Sequence, residues 1–206
     1  MDKAFIALIG VVLGVLLSIF KDWLLQRGKT KKEYEYLTIR VACMLDRFIS
    51  GCVDVVNDDG TSFGQYDADG YAQIQVTPPI FNPNELDVEW KSLPPTLMYE
   101  ILNFPNRIEE ANQAISSAFD YAASPPGYDE GFEERQFQYS QLGIYASKLA
   151  TKLRNFSKLP AYEASENWDP NKIMNDKLEQ IRSLQDMRAK AHAESMKQLN
   201  SNAGTT

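Results

Sequence analysis

Histidine occurs once in the 206 residues, at position 192, and cysteine twice, at positions 43 and 52. A single histidine excludes most catalytic triads, most zinc sites and every two-histidine iron site. Two cysteines exclude a disulfide-stapled small domain. Glycine and proline number only 11 and 10, and apolar residues make up 44%. Those values exclude collagenous, low-complexity and wholly disordered chains. Positive charge is scarce too: the net charge of −7 argues against a nucleic-acid binder. No Walker loop, dinucleotide fingerprint, Gly-x-Ser-x-Gly or His-Glu-x-x-His occurs. Nor does any Glu-x-x-His pair, which a di-iron bundle needs. Asp67-Ala68-Asp69-Gly70 resembles the start of a calcium loop, but the twelfth position is Pro78 rather than a bidentate Glu. No catalytic, metal or cofactor site is therefore expected.

What the chain does have is one long uncharged run, from Ala4 to Phe20, in which 12 of 17 residues are Phe, Ile, Leu or Val. At a bilayer centre these contribute roughly −4 to −7 kcal/mol together. Trp23, Leu24 and Leu25 extend the run past Lys21 and Asp22 to the length of a span. A cleaved signal peptide is the rival reading, but no small-x-small site follows. A buried core helix is the other, and it would need cover on all sides. The expectation is an uncleaved anchor over 4–25, after a flank of residues 1–3.

One Lys precedes the run, whereas Lys21, Arg27, Lys29, Lys31, Lys32 and Arg40 follow it. Basic residues resist translocation, so the N-terminus is expected outside and the C-terminal domain in the cytoplasm. Lys21, Trp23, Arg27, Lys29, Lys31 and Lys32 are the expected lipid-headgroup contacts, with 26–32 a basic juxtamembrane segment. Gly10, Gly14 and Ser18 recur at four-residue steps, the spacing of a strip on which two membrane helices pack closely. A homodimer continued through Tyr34, Leu37 and Val41 follows as an expectation. A reducing compartment, and a separation of about 13 Å along one helix, make Cys43 and Cys52 free, buried thiols.

Residues 33–199 read as one cytoplasmic helical domain, and 200–206 as a disordered tail. Tyr34, Leu37, Val41, Met44, Phe48, Cys52 and Val55 recur at helical steps from about Lys31 to Val56, with Gly28 the place for a bend. A second helix starts near Pro95 and should break near Asn103, because Pro105 removes a hydrogen bond. A third, from about Glu130 to Ser157, carries an a/d seam of Tyr139, Leu142, Ala146, Leu149, Leu153 and Phe156. Asp169 and Pro170 start a fourth, whose apolar stripe fades beyond Ala191. Between them lies an irregular insertion, about 57–95. There the alternation from Tyr71 to Thr77 resembles a strand, and Trp90 and Leu93 are its expected anchors. The expected fold is thus mainly α: a single transmembrane helix, then a cytoplasmic bundle with a small irregular or β insertion.

Charge is segregated along the chain. Residues 51–134 carry 16 acidic and 2 basic side chains, whereas 135–160 carry Arg135, Lys148, Lys152, Arg154 and Lys158 and no acid. Either these are solvated faces, or an acidic lobe packs on a basic helix. Tyr66, Tyr71, Phe81, Trp90, Tyr99, Phe104, Tyr121, Tyr128 and Phe132 cluster in or beside the irregular stretch. They either pin it to the bundle or bind a partner. The functional expectation is a single-pass, membrane-anchored scaffold or sensor that contacts the bilayer and a protein partner, without catalysis. The alternative is a tethered hydrolase using carboxylates of 51–134, marked by a concave site holding carboxylates of raised pKa.

Overall fold

A computed structural model of the chain describes residues 2–163 and 168–203. It is mainly helical. α1 (Asp2–Val56) is followed by an irregular stretch containing two single 3-10 turns, Pro83–Glu85 and Trp90–Ser92. α2 (Pro95–Leu102), α3 (Phe104–Tyr121), α4 (Asp129–Ser157) and α5 (Pro170–Ala203) complete it. α1 continues through Gly28, the expected place for a bend, without leaving the helical conformation.

α4 is the centre of the bundle, with α1, α3 and α5 packed around it. It runs antiparallel to α1: Ser157 Oγ donates to Thr38 Oγ1 (2.7 Å), Arg154 pairs with Asp46, and Arg135 with Asp58. Its seam residues Tyr139, Leu142, Ala146, Leu149 and Leu153 are buried, and only Phe156 lies in the open. They meet Leu37, Val41, Leu45, Phe48 and Cys52 of α1, also buried. Leu37 and Val41 are thus used inside the chain's own core, and Tyr34 tilts onto Phe156 (5.3 Å between centroids). The expected continuation of a dimer through those three residues is corrected accordingly. At Gly143 the three helices α1, α4 and α5 converge: a Cβ there would collide with Met174 Sδ and lie 3.0 Å from Cys52 Cβ.

Helix ends follow local chemistry. α2 stops at Asn103, and Pro105 falls in the first turn of α3, where a missing N–H loses nothing. α4 closes on Lys158 in the left-handed region, with the N–H of Leu159 reaching back to Arg154 O (2.9 Å). Asp169 Oδ1 accepts the N–H of Lys172 (3.1 Å), capping α5. α5 then runs to Ala203, past the expected fading at Ala191 and into the expected tail.

Among the described residues the insertion forms no strand. Its β-like pairing is the bridge between Ser62 and Gln65. The alternating segment near Tyr71–Thr77 is unpaired because its N–H groups have other acceptors: Ala72 donates to Pro126 O (2.9 Å) and Gln73 to Gly60 O (2.8 Å). Gln75 and Val76 donate to the Asp58 carboxylate (3.0 Å each). The insertion is pinned chiefly by Phe81, which joins Phe48 and Phe104 at centroid distances of 6.2 and 5.2 Å, and by Pro79 against Gly51. Leu93 is buried and Trp90 packs on the core, as expected of anchors.

Candidate functional site

The run that begins at Ala4 lies within α1, and where its side chains are described they have no cover. Leu13, Val15, Leu16, Leu17, Phe20 and Trp23 are each 50% exposed or more. At about 100° per residue they cover about 200° of the helix circumference, and Gly14, Ser18 and Lys21 occupy the rest. A Cβ at Gly14 would meet nothing within 4 Å, and Ser18 is open one turn further on. Gly10 belongs to the same helix, but its surroundings lie outside the described side chains, as does the side chain of Arg27. Trp23 stacks with Phe20 (6.0 Å), and Lys21 and Lys32 are exposed. Lys29 and Lys31 stand one turn from Glu33 and Glu35, at 4.0 and 3.7 Å, exposed pairs of small energetic weight. Among the residues whose side chains are described, no helix is long and apolar enough to cross a membrane. Residues 4–12, 19, 22, 24 and 25 of the candidate span fall outside them. A span over 4–25 is therefore not established by the fold.

At the other end of the bundle, Asp58 organises the insertion. Its side chain is fully buried against Arg135, itself 2% exposed, at 2.9 Å. Asp58 Oδ1 also accepts the N–H of Gly60 (3.0 Å), and Oδ2 those of Gln75 and Val76. Arg135 donates onward to Val76 O, and Gln136 to Asp58 O (2.9 Å). A buried ion pair is tolerated only when its remaining hydrogen-bonding groups are satisfied, and here they are. Arg135 ties α4 to the far end of α1. Lys152 pairs with Glu100 and Arg154 with Asp46. Two of the five basic residues of 135–160, Arg135 and Lys152, thus meet acids of 51–134, and Arg154 meets Asp46 outside that stretch.

A groove of about 620 Å³ lies between α3 and α5 over the outer face of α4. Arg107, Lys148 and Arg182 line it together with Glu110 and Glu179, and Arg107 sits 4.4 Å over the Tyr145 ring. The mixture of charges marks no substrate. Two carboxylates elsewhere are displaced below their ordinary pKa of 3.8: Asp59 by hydrogen bonds from the Thr61 side chain and backbone, Asp67 chiefly by the N–H of Tyr71. Both shifts run opposite to what a general acid needs. Among the described residues no group of three or more His, Cys, Asp or Glu is placed to hold a metal ion.

Both cysteines are free, but only Cys52 is buried, with its thiol pushed up by that burial. Cys43 is exposed, correcting the expectation of two buried thiols. Of the aromatics, Phe81, Phe104 and Phe132 are core residues, whereas Tyr66, Tyr71, Tyr99 and Tyr121 remain exposed. Among the described residues the most exposed aromatic is Phe63, which no expectation covered. Its signal was an aromatic residue followed by Gly within a stretch of Asp, Ser and Gly.

The fold and these sites define a mainly helical bundle with a projecting N-terminal helix. No family model, no curated protein and no solved structure matches the chain.

Proposed function

We propose that the chain is a single-pass membrane protein whose helical bundle is held in the cytoplasm as an interaction domain without catalytic activity. One observation carries this reading: Leu13, Val15, Leu16, Leu17 and Phe20 are exposed over a broad arc of a helix that passes unbroken into the core. So wide an apolar face, in a run that carries no charge from Ala4 to Phe20, calls for lipid or a protein partner about it. The basic residues after the run orient it with the bundle inside. Lys21, Trp23, Arg27, Lys29, Lys31 and Lys32 lie at headgroup level, and Gly10, Gly14 and Ser18 form the face on which two anchors meet. No observation favours the tethered hydrolase.

Removing residues 1–25 should transfer the protein from the carbonate-resistant membrane pellet to the supernatant. A deletion variant that stays in the pellet would overturn the anchor. A reporter active only outside the cytoplasm, fused after Thr206, should stay dark, and a bright signal would reverse the orientation. Replacing Gly10 and Gly14 by Ile adds bulk while keeping the run apolar. Unchanged crosslinking between copies after that replacement would rule out the small-residue face.

A further inference from the structure

The turn at the tip of the insertion carries an aromatic side chain for which the fold has no use. Ser62 and Gln65 exchange both backbone hydrogen bonds, at 2.9 and 3.0 Å. The two residues between them have positive φ, +51° at Phe63 and +76° at Gly64. This is the geometry of a two-residue hairpin loop, whose first position favours Asn, Asp or Gly. A bulky residue in the left-handed region is strained. Phe63 gains nothing in return, because its ring is wholly exposed.

The turn is nonetheless held in place. Asp59 Oδ1 accepts from the N–H and hydroxyl of Thr61 (2.9 and 2.7 Å), and Gly60 bonds both to Asp58 and to Gln73. Through Asp58 this network reaches the buried Arg135. An exposed aromatic residue on an ordered turn loses little conformational freedom on binding, which is the property of a hot-spot anchor. Along the chain, residues 48 to 90 hold eight acidic and no basic side chains; Asp58 is neutralised by Arg135 and Asp59 lies near Lys177, and the other six are acids in excess on this segment.

We propose that Phe63 is a docking plug that enters an apolar pocket, rimmed by Lys or Arg, on a partner protein. This deepens the interaction-domain reading and rests on it for the partner being a protein. The acidic insertion steers a cationic partner and repels nucleic acid and anionic lipid alike. Position points the same way: from Lys21 to Val56, α1 rises about 50 Å, so the plug lies far from the anchored end.

The test places a photo-crosslinking benzophenone residue at position 63 of the full chain in its own cells, with the equally open Ile80 as control site. A discrete protein adduct is expected at 63 and not at 80. The captured protein, purified, should bind the detergent-solubilised full chain and lose at least tenfold in affinity for Phe63→Asn, with binding weakening as salt rises. Asn suits the turn, so that variant should melt no lower than the parent, and Phe63→Gly serves as a second variant with the same expectation. Absence of an adduct at 63, an adduct to lipid or to a second copy, or unchanged affinity in both variants would each overturn the plug. Fractionating the same sample separates the two readings: an adduct formed by chain found in the supernatant sinks the anchor and leaves the plug standing.

Discussion

Leu16 and Leu45 sit on the same helix with the same side chain, yet one is 56% exposed and the other 0%. Around Leu45 the apolar positions of α1 form a stripe, and α4 supplies the surface that covers it. Around Leu16 the apolar face is far wider, about 200° of the helix, and Leu13, Val15, Leu17 and Phe20 on it are open as well. A stripe calls for one neighbouring helix, whereas so broad an apolar face calls for more cover than one helix gives. The two halves of α1 therefore obey one rule under two patterns.

The largest expected effect closes off the covered half. Arg135→Met leaves the Asp58 charge buried without its partner and should cost about 3–5 kcal/mol in urea denaturation of the detergent-solubilised protein. Adding Asp58→Asn removes the second charge but keeps one acceptor oxygen, which can serve either Gly60 or the pair Gln75 and Val76. The double variant should recover part of the loss, and an equal or larger loss would mean the charges themselves are not the issue.

Leu45→Ala should cost about 2–5 kcal/mol, as should Leu149→Ala across the seam. The same change at Leu16 should stay within about 0.5 kcal/mol of the parent. A large loss at Leu16 would show that part of the bundle covers the exposed half after all. Glycines sharpen the contrast at a smaller scale. Gly143→Ala forces a Cβ between Met174 and Cys52 and should cost about 1–3 kcal/mol. Gly28→Ala meets nothing within 4 Å, so it should add about 0.5–1 kcal/mol through helix propensity alone.

The smallest effect is on pH dependence. Burial raises the Tyr139 pKa from 10.0 to about 12, so the fold favours the neutral phenol. Its contribution is complete below pH 10 and is lost as pH rises from 10 to 12. Asp59 acts in the other direction: lowered below 3.8, it supports the fold above that pH and loses its contribution as pH falls further. Melting temperatures across both ranges should decline at each edge. A curve flat from pH 9 to 12 would place Tyr139 in contact with water.

Helix boundaries were legible wherever a local residue sets them. Pro105 predicts the break that falls at Asn103, and Asp169 with Pro170 predicts the start of α5. The seam of α4 was legible because its period survives over five turns. The segment after Gly70 was misread because alternation specifies a strand only when a partner strand exists. Here a carboxylate 17 and 18 residues away took the N–H groups instead. The Asp58–Arg135 pair joins residues 77 apart, a distance at which no spacing rule operates. Cys43 was placed inside because an unpaired cysteine usually packs as a small apolar residue, though its step from the stripe turns its side chain about 100° away. Phe63 was hidden for the opposite reason: aromatic residues in loops read as packing, and only its backbone conformation and exposure mark it out.

The unbroken passage of α1 through Gly28 makes the N-terminal helix a shaft rather than a tether. At 3.6 residues per turn, Gly14 and Ser18 lie about 160° round that shaft from the face formed by Leu37, Val41, Leu45, Phe48 and Cys52. Two chains meeting at the small residues would carry their bundles outward, back to back, with Tyr36 and Ile39 on the inner side. The azimuth of each bundle is then keyed to its anchor. Inserting one residue beside Gly28 would swing the whole domain by about 100° and lift it by about 1.5 Å, while inserting seven would return it to within about 20° of its starting orientation.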